Sequence, residues 1–159
     1  MATSSQQLAG QSDHSAEAHR AESIIAHRPI LTSVAIGFGS LAPHLFLSPQ
    51  ASLGFAAVLI ALIGGIYFGF AVTNGSPRDQ LVEFSVAGIF AIAGLVALLI
   101  WPILLPLAYL GHALWDLAHH NRSRLSLVKI PQWYVPWCIV IDVIVGVGLL
   151  VIWTRNGIL

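Results

Sequence analysis

From Leu81 to Leu110 the chain runs almost unbroken through apolar side chains, with Glu83 as the only charge. Helical character continues to His120. As a single helix, Leu81–His120 would hold about 40 residues and measure roughly 60 Å at 1.5 Å per residue. The hydrocarbon core of a bilayer is about 30 Å thick, and a helix needs about 20 apolar residues to cross it. The run is therefore long enough for two crossings and must break between them. Trp101-Pro102 is the natural place. Tryptophan favours the membrane interface, and proline cannot continue a helix but suits its first turn.

Composition agrees with a chain that sits in lipid. Only 9% of the 159 residues are charged, 57% are hydrophobic, and the mean hydropathy is +0.81. A water-soluble domain carries about 25% charged residues. The formal net charge is zero, so no basic surface points to nucleic acid. Cys138 is the single cysteine and makes no disulfide within the chain, so it says nothing of redox compartment. It is read as a small buried hydrophobe.

These features predict an all-α, polytopic transmembrane bundle of five spans, at about 30–47, 51–73, 81–101, 103–120 and 133–153. Ser48-Pro49-Gln50 separates the first two, and the polar stretch Asn74 to Gln80 separates the second from the third. Pro131 and Pro136 open the last span, with Trp133, Tyr134, Trp137 and Trp153 at its interfaces. Residues 1–28 lack an apolar core and are read as a polar tail rather than a signal peptide. His14, His19 and His27 in that tail are read as solvated, because nothing fixes their geometry.

Charge bias supplies a separate argument for five spans. With the N-terminus inside, Arg20, Arg28, Arg78, Arg122, Arg124 and Lys129 fall on the inner side and only Arg155 on the outer. That matches the positive-inside rule. With four spans the two basic loops would lie on opposite faces. The expected location is the inner (plasma) membrane, with a cytoplasmic N-terminus and the lipid bilayer as the main partner. Gly65 and Gly69 form a GxxxG pattern that serves either internal packing or a homo-oligomer.

Ionisable residues inside a membrane are costly, so each one marks a candidate site. The densest set is Gly111-His112-Ala113-Leu114-Trp115-Asp116-Leu117-Ala118-His119-His120. On a helix His112 and Asp116 are one turn apart, and His119 and His120 lie on or near the same face. Leu114, Leu117 and Ala118 fall more to the other side. Imidazole and carboxylate on adjacent turns suit Zn²⁺ or Fe²⁺. They also suit a hydrogen-bonded pair or a proton relay. Asp142, about 12 Å along span five from Tyr134, reaches the depth of His112 if spans four and five pack together. Glu83 begins span three on the same inner side. The expectation is a cluster in the cytoplasmic half, with His112, Asp116, His119 and His120 as metal ligands and Asp142 and Glu83 as acid–base groups. His44, beside Pro43 near the outer end of span one, is read as an interfacial residue.

The string Gly-His-x-x-Trp-Asp-x-x-His-His at 111–120, with Tyr67-Phe68-Gly69-Phe70 and Trp133 to Cys138 followed by Asp142, resembles a family of small, uncharacterised bacterial integral membrane proteins. The resemblance supports the topology and the choice of residues and implies no reaction. The histidine spacing is also a little similar to the boxes of membrane di-iron hydroxylases and desaturases, which spread more histidines over several boxes. Three classes of function fit the sequence: a metal-dependent enzyme on a lipid-like substrate, a small carrier with a proton or cation path, and a structural membrane protein whose polar cluster only fixes helix packing.

Overall fold

The computed structural model describes residues 25–120 and 127–159. All but residues 25–28 of the predicted tail lie outside this range, as do Arg122 and Arg124. Five α-helices occur among the main elements: α1 Pro29–Leu41, α2 Pro49–Asn74, α3 Pro77–Leu99, α4 Leu104–His120 and α5 Tyr134–Arg155. No strand occurs among the described residues.

Local chemistry sets the helix ends. Pro49 stands in the first turn of α2 behind Ser48, whose hydroxyl accepts from the Ala51 amide. Proline there loses no internal bond, because the first amides of a helix have no partner in it. Ser76 and Asp79 form a capping box at the start of α3, each side chain accepting from the other's amide. The predicted break at Trp101-Pro102 is present: α3 stops at Leu99 and α4 starts at Leu104.

The first predicted span differs from a plain helix. α1 ends at Leu41, and a 3₁₀ turn follows from Ala42 to Leu45. Pro43 has no N–H to give to an α-helical ladder, so the chain tightens there. The turn carries His44 inward, contrary to the interfacial reading. His44 is 1% exposed, with Nδ1 2.6 Å from Ser52 Oγ, which also accepts from Trp153 Nε1 at 2.8 Å. This knot ties the ends of α1, α2 and α5 together.

Chain neighbours are not always packing neighbours. α2 packs on α3, α4 on α5, and α1 on α5. α3 and α2 each pack on α4, whereas α1 and α2 share at most a marginal contact. Close approach of α5 to α4 depends on Gly146. A side chain there would stand 3.0 Å from Leu110 and from the Pro106 carbonyl. Gly65 and Gly69 behave differently, since a Cβ on either would meet nothing within 4 Å. The GxxxG pattern is thus turned away from the bundle.

The core holds Ile60, Phe90, Leu105, Tyr109, Val145, Leu149 and Trp153, while many large apolar side chains face out, among them Phe46, Leu81, Leu99 and Leu114. An outer surface this apolar fits lipid and not water. α2, α3 and α5 are 26, 23 and 22 residues long, and each is apolar and long enough to cross a bilayer. α1 and α4 are shorter, at 13 and 17 residues.

Candidate functional site

α4 carries most of the polar groups on its inward face. Leu105, Tyr109, His112, Asp116 and His119 are buried along it, spaced three or four residues apart. Leu114 and Leu117 point outward and are exposed. His120, predicted as a ligand, is exposed at the end of the helix. It stands about 100° around the helix from His119, given 3.6 residues per turn, and that rotation takes it off the buried stripe.

Asp142 comes from α5 and meets His112. His112 Nδ1 lies 2.7 Å from Asp142 Oδ2 and 3.5 Å from Asp116 Oδ1. His112 and Asp116 are fully buried, and Asp142 is 1% exposed. Ligand atoms from these three residues lie within 4.8 Å of one another. Tyr67 of α2 donates to Asp116 Oδ1 at 2.5 Å. The His112 ring is walled by Phe90 and Tyr67, both edge-on. Each of the three residues keeps one buried atom without a hydrogen-bond partner: His112 Nε2, Asp116 Oδ2 and Asp142 Oδ1.

Glu83 and His119 form a second group beside the first. His119 Nε2 is 2.9 Å from Glu83 Oε1, and Trp115 Nε1 donates to Glu83 Oε2 at 3.2 Å. His119 Nδ1 faces the Trp115 carbonyl at 3.0 Å. A carbonyl only accepts, so Nδ1 must carry hydrogen. A second proton then holds Nε2 and Oε1 together, and the pair is neutral whichever atom carries it. Tyr67 stands between the groups, its ring 4.5 Å from that of His119 between centroids. Its hydroxyl bonds to Asp116, and neither imidazole nitrogen of His119 is left to join the two groups. The hydrogen-bond chain therefore stops at Tyr67.

The predicted cluster divides accordingly. His112, Asp116 and Asp142 come together, Glu83 pairs with His119, and His120 stands apart. Two contributors, Tyr67 and Trp115, were not among the predicted site residues. The available signal for Tyr67 was a hydroxyl placed well inside an apolar span rather than at its interface.

A cavity of about 170 Å³ lies beside the trio, bounded by α1, α2, α4 and α5. Ile36, Ser40, Leu59, Ile63, Tyr109 and Asp142 contribute to its wall. Asp142 thus belongs both to the polar trio and to an apolar cleft. No family model, curated protein or solved structure matches the chain.

Proposed function

We propose that this chain is a five-span integral membrane protein that holds a divalent transition metal ion, Zn²⁺ or Fe²⁺, at His112, Asp116 and Asp142. The ion would serve a reaction on a lipid-like substrate. The single observation that carries the reading is the convergence of one imidazole and two carboxylates, all buried, within 4.8 Å.

Charge balance accommodates an ion there. Among the described residues, His112 is the only ion-pair partner of the two carboxylates. One imidazolium balances one carboxylate, and the second negative charge, expensive in a low-dielectric interior, is removed by a proton or by a cation. A divalent cation with two carboxylates and a neutral imidazole sums to zero. Nitrogen and oxygen donors of this kind suit Zn²⁺ and Fe²⁺, and three protein ligands leave a coordination position for water or substrate. A bound ion acts as a Lewis acid or lowers the pKa of its water. Tyr67 orients Asp116 by its hydrogen bond, as outer-shell partners commonly do.

A second reading rests on a different observation. The bonds from Tyr67 to Asp116 and between His112 and Asp142 already join α2, α4 and α5. The trio would then be a packing knot that fixes the register of three helices.

Metal analysis of the detergent-purified protein separates the readings. Stoichiometric zinc or iron, lost in both His112→Ala and Asp142→Ala while both variants still fold, supports the metal site. Wild-type protein that stays metal-free after incubation with either ion leaves only the packing knot.

A further inference from the structure

The link that leads into α5 lies across the end of the bundle that carries the α2–α3 and α4–α5 connections. Residues 127–131 form neither helix nor strand. Pro131 disfavours the helical region for Ile130, so the link stays extended. In an extended chain successive side chains point to opposite sides. Val128 and Ile130 accordingly turn inward, at 1% and 5% exposure, while Lys129 between them is exposed. Both inward side chains pack in one apolar group with Tyr67, Ala71, Tyr134 and Cys138. Tyr67 in turn holds Asp116. Counted from this end of each helix at 1.5 Å per residue, Ala71 and Tyr134 lie within about 5 Å of it, and His112 and Asp142 lie about 12 Å deep. The link is therefore a strap laid over the layer that separates the trio from water.

An ion has to pass some part of this wall. His112, Asp116 and Asp142 are 0–1% exposed, so the trio is closed to water as it stands. A hydrated divalent ion does not arrive through lipid, because a charge in hydrocarbon is costly. That excludes the seam between α1 and α2. α2, α4 and α5 are each held by their own backbone bonds along their length. On the α3 side, hydrogen bonds lock Glu83 to His119 and Trp115. The strap differs. Among the described residues, no backbone hydrogen bond ties Val128, Lys129 or Ile130 to a helix. Two buried apolar side chains anchor it, and exposing them is what opening costs. Segments with few backbone bonds open at the low end of a fold's range of local stabilities.

We infer that residues 127–131 are the gate of the trio: the strap lifts Val128 and Ile130 out of the Tyr67–Tyr134 layer and admits a hydrated divalent ion from the water beyond. This rests on the proposed metal site and adds how that site is loaded and shielded.

Cys138 is the chain's one cysteine and belongs to the group beneath the strap, so it reports opening without any metal. The full chain in non-ionic detergent is treated with a trimethylammonium-bearing methanethiosulfonate. Cys138 also lines the cleft toward α1, but detergent covers that side, and the charged reagent arrives from water at the strap. Val128→Ala and Ile130→Ala should speed labelling about tenfold, and Ile130→Val about threefold, because buried methyl groups that hold the strap are lost. Ile130→Val removes least and guards against a failure of the others to fold. Lys129→Gln, exposed on the same strap, and Leu149→Ala, in the other apolar core group, should leave the rate unchanged. On zinc-loaded protein the strap variants should speed zinc uptake and zinc release to a chelator by similar factors, since a gate alters both rates and not their ratio. Unchanged labelling in folded strap variants, or equal acceleration by Leu149→Ala, would overturn the gate. Faster labelling with unchanged zinc exchange would overturn it as the ion's path. Faster labelling in a protein that binds no zinc would uphold the opening and remove the metal site, so the two readings fail separately.

Discussion

His112 of α4 and Asp142 of α5 lie 2.7 Å apart, Nδ1 to Oδ2, thirty positions apart in sequence and each almost wholly removed from solvent. The contact fixes the rotation of two helices toward each other at one depth. Removing either partner leaves a charge or a polar atom stranded. Losing one member of a buried pair costs about 3–5 kcal/mol. Asp142→Ala should lower the unfolding free energy by about that amount, and Asp142→Asn by less, because the amide oxygen still accepts from His112. Denaturant titration in detergent measures both. Chelation should destabilise the wild type and leave Asp142→Ala unchanged, since an ion stabilises only the state that binds it. A chelator effect of equal size in both proteins would count against the metal site.

Tyr67→Phe removes one hydroxyl, and Asp116 loses its only hydrogen-bond donor from α2. The expected loss is about 1–3 kcal/mol, the cost of a buried acceptor left bare. His120→Ala serves as the control. Its side chain is exposed, and such changes usually stay within about 0.5 kcal/mol. A comparison of unfolding midpoints decides it; a His120 variant as damaged as the Tyr67 variant would contradict the arrangement.

Glu83 separates hydrogen bonding from charge. Glu83→Gln keeps an oxygen for Trp115 Nε1 and an N–H for His119 Nε2, so it should stay within about 1 kcal/mol of wild type. Glu83→Leu strands both partners and should cost about 2 kcal/mol or more. Circular-dichroism melts of the two variants give the ranking, and equal losses in both would show that charge, not hydrogen bonding, holds this group.

Gly146 tests the α4–α5 contact without altering a side chain of the trio. Gly146→Val sets new side-chain atoms against Leu110 and the Pro106 carbonyl. Overpacking of this kind costs about 1–3 kcal/mol. Because the same interface aligns His112 with Asp142, the variant should also lose metal affinity. Unchanged affinity in a folded Gly146→Val protein would show that the trio tolerates a shift of α5.

Topology is checked at the chain end. Five spans with the N-terminus inside put Leu159 outside, so a reporter fused after it should be active on the outer face. A fusion active on the inner face refutes five spans. α1 and α4 are the spans under test, because at 13 and 17 residues they fall short of the about 20 that cross a bilayer unaided. The 3₁₀ turn at Ala42–Leu45 extends the first, and the turn at Pro102-Ile103 precedes the second.

Local rules carried a good part of this protein in its sequence. Apolar run lengths set where helices form, proline sets where they restart, and the break between Leu99 and Leu104 follows from both. The one-turn spacing of His112 and Asp116 put them on a single face because a helix repeats every 3.6 residues. Partnership was decided by the tertiary structure. Whether Glu83 joins the trio or pairs with His119 depends on how α3 leans on α4. Which face of α2 brings Tyr67 to Asp116 depends on packing that neither segment encodes alone. The burial of His44, the outward turn of Gly65 and Gly69, and the seam between α1 and α2 have the same origin. Hydropathy and periodicity are properties of one segment, whereas a contact such as His112–Asp142 exists only once two helices have chosen their rotation and depth.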